Sequence, residues 1–396
     1  MSGQSKGGSN REYAVETELV LAGRDPLRFD GFVNTPIVRG STVLSATVAD
    51  LEQHTGRYTY GRRGNPTLEG LEVALTRIEG GAGVVLTPSG LSAVSVALLA
   101  VMQAGDHLLM VDTAYQPTRR VCNEVLRRYG IETTYYDPLI GAGIAELIRP
   151  NTRAIFMESP GSQSFEIQDV PAIVAVAGAK SVLTLMDNTW ATPLFFRPHD
   201  FGVDIAIQAG TKYLGGHADL NIGTISANAR AWPRVKMAHG DMGITIAPED
   251  AFLGARGLRT LAVRLARHQE SAFTVAHWLS ERPEVLRVLH PGLPDHPGHS
   301  IWKRDFKGAS GLFSFILNPT PKAAVDAMLD GLELFGLGYS WGGFESLAIP
   351  FDCSTDRSAT QWQPGGPAVR LHIGLEDPGD LIADLERGFD RLRAAS

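Results

Sequence analysis

Five short, largely apolar runs recur between residues 84 and 208, at 84–86, 108–111, 154–157, 182–186 and 204–208. Each stops at a polar or glycine-bearing turn. A strand with one wet face alternates apolar and polar side chains, whereas a run without alternation is covered on both faces. Helical patterns lie between the runs, as at 91–103 and 170–177. Strand and helix in alternation predict an α/β domain built on a mainly parallel sheet.

The 396 residues suit about two domains. Residues 1–59 show little periodicity and read as an arm packing on a neighbouring subunit. The first dozen, rich in Ser and Gly, are expected to be disordered and are not a signal peptide. Residues 60–255 form the large domain. A long helical pattern after Pro248, carried by Leu258, Leu261, Leu265, Ala272, Val275 and Leu279, opens the second domain, 256–396. That smaller α+β domain is compact from Phe306, with strands at 312–317 and 369–373, and residues 290–299 form a proline-rich loop.

The balance of 36 basic and 43 acidic residues gives a net charge of −7 and no basic run, so nucleic acid is not an expected partner. The longest apolar stretch, 91–102, is too short to span a bilayer. Only Cys122 and Cys353 are present; they read as free thiols of a reducing cytoplasm.

In open α/β sheets ligands bind beyond the carboxyl ends of the strands. Here the turns after the five runs offer Ser89-Gly90 opening a helix, Asp112 to Tyr115, Glu158 to Gly161, Asp187-Asn188, and Gly210-Thr211-Lys212. That is an anion cradle, an aromatic ring, a polar loop, a carboxylate and an amine. Ser89-Gly90 can present backbone N–H groups to a phosphate, or be a plain helix cap. Asp187 can face a pyridine nitrogen, or cap the next turn. Lys212, if buried, has a depressed pKa suited to Schiff-base chemistry; otherwise it is a solvated charge. Arg370 and His372 share one face of the strand 369–373. There Arg370 can grip a carboxylate with two hydrogen bonds, or lie on a wet sheet face.

Other motifs fail. Residues 210–216 have glycines but no closing Gly-Lys-Ser/Thr, no Gly-x-Gly-x-x-Gly follows a strand, and no Gly-x-Ser-x-Gly exists. His290, His296 and His299 lack metal-ligand spacing, so no metal is expected.

With these residues in place the chain resembles the Cys/Met-metabolism family of fold-type I pyridoxal-phosphate enzymes, and within it the bacterial cystathionine β-lyases. The matching stretches are Tyr58-Thr59-Tyr60-Gly61-Arg62-Arg63-Gly64, Asp112-Thr113-Ala114-Tyr115, Met186-Asp187-Asn188-Thr189-Trp190, Thr211-Lys212-Tyr213-Leu214 and Tyr339-Ser340-Trp341-Gly342-Gly343. Arg370-Leu371-His372-Ile373-Gly374-Leu375-Glu376-Asp377 completes the set. The resemblance spans about residues 34–392. It implies the fold-type I transferase fold and pyridoxal 5′-phosphate as cofactor. It implies that Lys212 holds the cofactor covalently and is a catalytic base, that Asp187 pairs with the pyridine nitrogen and that Tyr115 stacks on the ring. By the same resemblance Gly90, Leu91 and Thr211 contact the phosphate. Tyr60 and Arg62 reach the phosphate of a neighbouring subunit, and Arg370 with the Ser340 backbone holds the substrate carboxylate. Tyr60 and Trp341 complete the substrate contacts, and Tyr115 or Lys212 delivers the proton to the leaving sulfur. The implied protein is a cytoplasmic homo-oligomer, a dimer as active unit and a tetramer as assembly, acting on an amino acid. Many relatives carry an asparagine near the cofactor's phenolic oxygen. Here that stretch is Ser159-Pro160-Gly161-Ser162, without the asparagine, an absence that β-lyases of this kind tend to share.

The implied reaction is β-elimination from L-cystathionine or a related cysteine S-conjugate, giving a thiol, pyruvate and ammonia. Two rivals stand beside it: a γ-lyase or γ-synthase of the same family, and a regulator that binds the cofactor without turnover.

Overall fold

A computed structural model describes residues 13–396. The expected disorder of the first dozen residues lies outside that range. Among the described residues eleven strands form two sheets. The large sheet takes β1 (Gly83–Thr87), β2 (His107–Val111), β3 (Glu132–Tyr136), β4 (Thr152–Glu158), β5 (Leu183–Asp187), β6 (Ile205–Ala209) and β7 (Gly223–Ala227). Their order is β1-β7-β6-β5-β4-β2-β3. All pairs from β3 to β6 are parallel, while β7 runs antiparallel between β6 and β1. Six strands therefore point one way, and the ends of β1, β2, β4, β5 and β6 lie along one edge.

Burial explains the lack of alternation. Every residue of β1, β2 and β7 is buried, as are four of the five in β5 and β6. One face of the sheet is covered by the helix Gly90–Val101, apolar almost all round, and cores of Leu108 to Val111, Ile155, Phe156, Leu185 and Ile205 fill the layers between. The helices Pro66–Glu79 and Pro248–Arg259 build a second cluster around Leu71, Leu75 and Leu258. The helix Val15–Leu21 sends Leu19 into that cluster, so the start of the arm packs on its own chain. Beyond it the arm exposes Leu27, Phe32, Val33, Leu44, Val48 and Leu51.

The small sheet takes β8 (Val285–Leu289), β9 (Leu312–Leu317), β10 (Leu347–Phe351) and β11 (Ala368–His372), antiparallel in the order β10-β11-β9-β8. The helices Lys322–Asp330 and Pro378–Ala394 cover it with Met328, Leu385 and Phe389. The long helical pattern after Pro248 is two helices, Pro248–Arg259 and Leu261–Ser280, which meet at Thr260. Gly254 and Gly257 do not interrupt the first. A Cβ on Gly257 would lie 2.2 Å from Leu214 O and 2.6 Å from Gly215 O, so glycine there lets the helix touch the turn behind Lys212.

Candidate active site

Lys212 sits three residues past the end of β6, in a turn closed by Lys212 N–H on Ala209 O and Gly215 N–H on Gly210 O. Arg264, on the buried stripe of its helix, fixes the back of that turn. Its guanidinium donates to Tyr213 O at 2.7 Å and Gly257 O at 2.8 Å. Burial lowers the Lys212 amine to about 8, Arg370 pushes the same way, and Asp187 opposes both.

Asp187 ends β5, the strand beside β6. Thr189 donates to its Oδ1 through N–H at 2.9 Å and hydroxyl at 2.6 Å, and the same hydroxyl accepts from Ala209 N–H at 2.9 Å. One threonine thus ties the carboxylate to the strand that leads to Lys212. Oδ2 makes no hydrogen bond among the described residues, and burial raises the carboxyl pKa. Such a group favours a cationic N–H partner.

The cradle lies across from these. Ser89 caps the helix Gly90–Val101 by accepting from Ser92 N–H at 3.1 Å. The Gly90 and Leu91 N–H groups stay free of protein acceptors among the described residues and point out of a twelve-residue helix start. A Cβ on Gly90 would stand 2.5 Å from the Ala209 Cβ, so only glycine brings this helix start against the end of β6. Thr211 is bonded to Ile222 on both N–H and hydroxyl, which fixes its side chain beside the cradle.

Tyr115, after β2, keeps 49 % of its surface exposed. Its backbone N–H donates to Glu158 Oε2 at 2.8 Å, and burial followed by Glu158 and Asp187 raises its phenol pKa. The Tyr115 loop is also anchored from below. Asp112 binds Arg119 at 2.9 Å and accepts from the Ser358, Ala359 and Thr360 backbone, which brings a small-domain loop onto the site wall.

The loop 339–343 closes the site from the small domain. Ser340 Oγ lies 2.5 Å from Lys212 Nζ, and Trp341 holds its ring centroid 5.3 Å from the same nitrogen. Arg370 donates to Ser340 O at 2.9 Å. It is 7 % exposed and pairs with no carboxylate among the described residues. Burial lowers it to about 10, still well above neutral pH. The wet sheet face is therefore excluded. A buried cation whose one protein bond is to a carbonyl suits an incoming carboxylate.

Tyr60 and Arg62 stand apart. Tyr60 is 46 % exposed, Arg62 donates to Gly240 O at 3.0 Å, and neither bonds to Lys212, Asp187, Tyr115 or Arg370 among the described residues. The turn 159–162 holds its place by Ser162 N–H on Thr113 O and a Gly161 whose Cβ would meet Thr113 Oγ1 at 2.6 Å. No group of three or more metal-ligating side chains forms among the described residues.

These residues fit pyridoxal phosphate. An amine of lowered pKa, a buried carboxyl with a free oxygen, a half-exposed ring and a helix start bare of side chain face one edge of one sheet. Three contributors have no role in the sequence reading: Glu158, Arg264 and His268. Glu158 carries the same signal as Asp187, a carboxylate ending an apolar strand. Arg264 and His268 carry another, since Leu261, Arg264, Leu265 and His268 share the buried helical stripe.

The chain matches one family model, described as Cys/Met metabolism PLP-dependent enzyme, over residues 16–390. A protein of Rhizobium johnstonii, provisionally named a cystathionine beta-lyase, is 52% identical over 95% of this chain and 96% of its own. The cystathionine beta-lyase of Salmonella typhimurium is 46% identical, over 96% and 98%. The solved structure of cystathionine gamma synthase from Xanthomonas oryzae, with aminoacrylate and cysteine, superposes with a TM-score of 0.90 at 34% identity, over 98% and 100%.

Proposed function

Because the chain belongs to the Cys/Met-metabolism family of pyridoxal-phosphate-dependent enzymes, we propose that it is a carbon–sulfur lyase that cleaves L-cystathionine at the β carbon to homocysteine, pyruvate and ammonia. The observation that carries this reading is the junction of Lys212, Ser340 and Arg370, in which one loop joins the proton-accepting amine to the carboxylate clamp. Relatives that carry a β-lyase name are 42–52% identical over 84–96% of this chain, whereas a γ-synthase of Mycobacterium bovis stands at 36%.

Lys212, Asp187, Tyr115 and the Gly90–Leu91–Thr211 cradle hold the cofactor. When bound, it would supply an electron sink for the charge left at Cα. The chain's own groups do the rest. Arg370 and the Ser340 backbone fix the α-carboxylate, which orients the Cα–H bond toward Lys212. Lys212, with a pKa of about 8, is neutral often enough near pH 7 to take the Cα proton. The Cβ–S bond then breaks, and Lys212 or the Tyr115 phenol returns a proton to the departing sulfur. The three-carbon enamine left behind hydrolyses to pyruvate and ammonia.

The arm residues Tyr60 and Arg62 complete the site of a neighbouring subunit in this reading, and the apolar arm surface from Leu27 to Leu51 suits burial between copies. A homodimer is then the active unit and a tetramer its assembly, in the cytoplasm. No helix among the described residues is long and apolar enough to cross a membrane. Product analysis with L-cystathionine tests the function. Pyruvate, ammonia and homocysteine are expected; 2-oxobutanoate and cysteine as main products would overturn the β-lyase reading and leave the cofactor site intact.

A further inference from the structure

Tyr115 is held in place by its backbone. Its phenol makes no hydrogen bond among the described residues, and about half of the residue's surface is exposed. The segment 112–119 that carries it therefore sets where the ring stands. Asp112, directly after β2, and Arg119 clamp the two ends of that segment. The guanidinium donates to the Asp112 carbonyl and to its Oδ1, both at 2.9 Å. Arg119 itself rests on the Tyr135 ring, 3.7 Å from its centroid.

The same carboxylate reaches into the other domain. The small-domain segment 357–360 contains no helix or strand. Its three consecutive N–H groups, on Ser358, Ala359 and Thr360, donate to Asp112 at 2.9, 3.0 and 2.8 Å and meet no other acceptor among the described residues. The Ser358 and Thr360 hydroxyls add bonds at 3.0 and 2.7 Å. Successive N–H groups converging on one carboxylate form an anion nest, and bonds to a charged acceptor are the strong ones. Asp112 is fully buried. Burial alone would raise its carboxyl pKa, but the bonds from Thr360 and Ser358 outweigh it and hold the group below the usual carboxylate range.

Arg357, at the start of that segment, grips the other loop of this wall. Its side chain is 4% exposed and donates to Ser164 Oγ and to Glu166. Ser314, on β9, donates its hydroxyl to Gln163 O at 2.9 Å. The loop so held passes through Gln163 at φ 68° and Phe165 at φ 62°, both in the left-handed region, which is strained for residues other than glycine. Ser162 N–H on Thr113 O, at 2.9 Å, joins this loop to the Tyr115 segment. Two large-domain loops at the strand ends are thus tied to each other and to one strap of the small domain.

We propose that Asp112 is a positioning residue: by fastening the small-domain strap 357–360 to the end of β2, it holds the Tyr115 ring where the cofactor stacks. The proposal rests on the reading of Tyr115 as the residue that covers the cofactor ring. Its consequence is reciprocal. A strap that favours cofactor binding by placing Tyr115 is itself favoured, by the same factor, once the cofactor is bound. The strap hydrogen-bonds to none of Lys212, Asp187, Gly90 and Thr211 among the described residues, so the effect passes through the segment that Asp112 opens.

Hydrogen–deuterium exchange of the wild type reads this without turnover. Amides of the strap, residues 357–360, should exchange about fivefold or more slowly in protein loaded with pyridoxal phosphate than in cofactor-free protein, while those of the far edge strand β8 change by less than about twofold. Equal exchange in the two forms overturns the proposal, as does a slowing that β8 shares in full. A cycle of variants then assigns the effect to Tyr115. Asp112→Asn keeps the size of the side chain and removes its charge and one acceptor oxygen. It should weaken affinity for pyridoxal phosphate, read by equilibrium dialysis, about tenfold, the scale of one buried charge-assisted hydrogen bond. Tyr115→Ala should weaken it as well, and adding Asp112→Asn to Tyr115→Ala should lower it by less than about twofold more. A double variant that shows the full product of the two losses overturns the proposal, because Asp112 then acts without Tyr115. Normal affinity in Asp112→Asn beside weakened affinity in Tyr115→Ala overturns the proposal and leaves the reading of Tyr115 intact. Normal affinity in Tyr115→Ala removes that reading and the proposal with it. If the Asp112→Asn protein does not fold, the exchange of the wild type decides.

Discussion

Glu158 and Asp187 stand opposite each other in register at the carboxyl ends of neighbouring parallel strands. Burial raises both carboxyl pKa values, Glu158 well above the usual range, and Asp187 adds to the Glu158 shift. Thr189 holds two hydrogen bonds on Asp187, which favour the charged form there. Burial and the Asp187 charge favour the protonated form of Glu158. The unfolded chain loses the Glu158 proton near 4.5 while the folded chain keeps it, so stability falls as pH rises from about 4.5 through the folded value. Glu158→Gln, uncharged at every pH, escapes that loss. Melting temperatures of the cofactor-loaded proteins should converge near pH 5, and the Gln variant should gain on the wild type toward pH 8. A gap that shrinks with rising pH would show an ionised Glu158.

Lys212 should govern capture of the cofactor. The neutral amine is the nucleophile, and lowering its pKa from 10.5 to about 8 raises the neutral fraction at pH 7 from about 0.03% to about 10%. Capture of pyridoxal phosphate by cofactor-free protein, followed by its visible band and fixed with borohydride, should therefore speed up through about pH 8 and level off above it. Lys212→Ala should fix no cofactor at all. A fixed band in that variant would place the covalent bond on another lysine.

Arg370 lies buried beside a carbonyl and pairs with no anion among the described residues. Truncating one partner of a buried charge pair costs roughly 2–5 kcal/mol, so Arg370→Ala should lower kcat/KM by about 30-fold to several thousand-fold. Lysine should restore only part, because a point charge lacks the two-pronged geometry. A near-normal kcat/KM in the alanine variant would assign Arg370 to loop support alone.

How the sequence revealed these residues follows from the sheet. Strands buried on both faces leave their signature as apolar runs, and one shared direction puts the ends of β5 and β6 side by side. Asp187 and Lys212 were legible for that reason. β7 was not, because Thr224 and Ser226 are fully buried small polar residues that give no apolar run. β3, an edge strand reading Glu-Thr-Thr-Tyr-Tyr, is only partly buried and lacks the signal for the same cause. Arg370 was legible as a candidate and not as a buried clamp. Only the tertiary cover of Ser340 and Tyr115 separates those alternatives. The role of Arg264 depends on carbonyls of a turn 50 residues away in sequence, which no local pattern reports.

Arg62 donates to Gly240 O and bonds to none of Lys212, Asp187, Tyr115 and Arg370 among the described residues. If it serves the neighbouring subunit, Arg62→Ala should weaken cofactor retention, measured by dialysis, while leaving Lys212 able to react. Mixing Arg62→Ala with Lys212→Ala protein should restore part of the activity, since a mixed dimer holds one site with both residues intact. No recovery, with subunit exchange demonstrated by native mass spectrometry, would place Arg62 outside a shared site.

On the β-lyase reading, Trp341 would decide where the substrate's distal half lies. Its ring packs on Tyr213 at 5.5 Å and stands 5.3 Å from the Lys212 amine, so the indole fills space beside that amine. Both β- and γ-elimination begin with loss of the Cα proton, and Lys212, Asp187 and Arg370 serve either. A γ route needs a second proton taken from Cβ, and so needs room for a base above it. In that reading the indole would narrow that room and hold the Cβ–S bond in one orientation, favouring immediate cleavage. Trp341→Ala should therefore lower kcat/KM for pyruvate formation from L-cystathionine by about tenfold or more, a loss of at least about 1.4 kcal/mol of transition-state stabilisation. The share of 2-oxobutanoate among the keto-acid products should rise. Trp341→Phe, which keeps an aromatic face, should lie between the two. If the alanine variant, folded and loaded with cofactor, matches the wild type in rate and products, Trp341 packs beneath the loop and the choice of bond is made elsewhere.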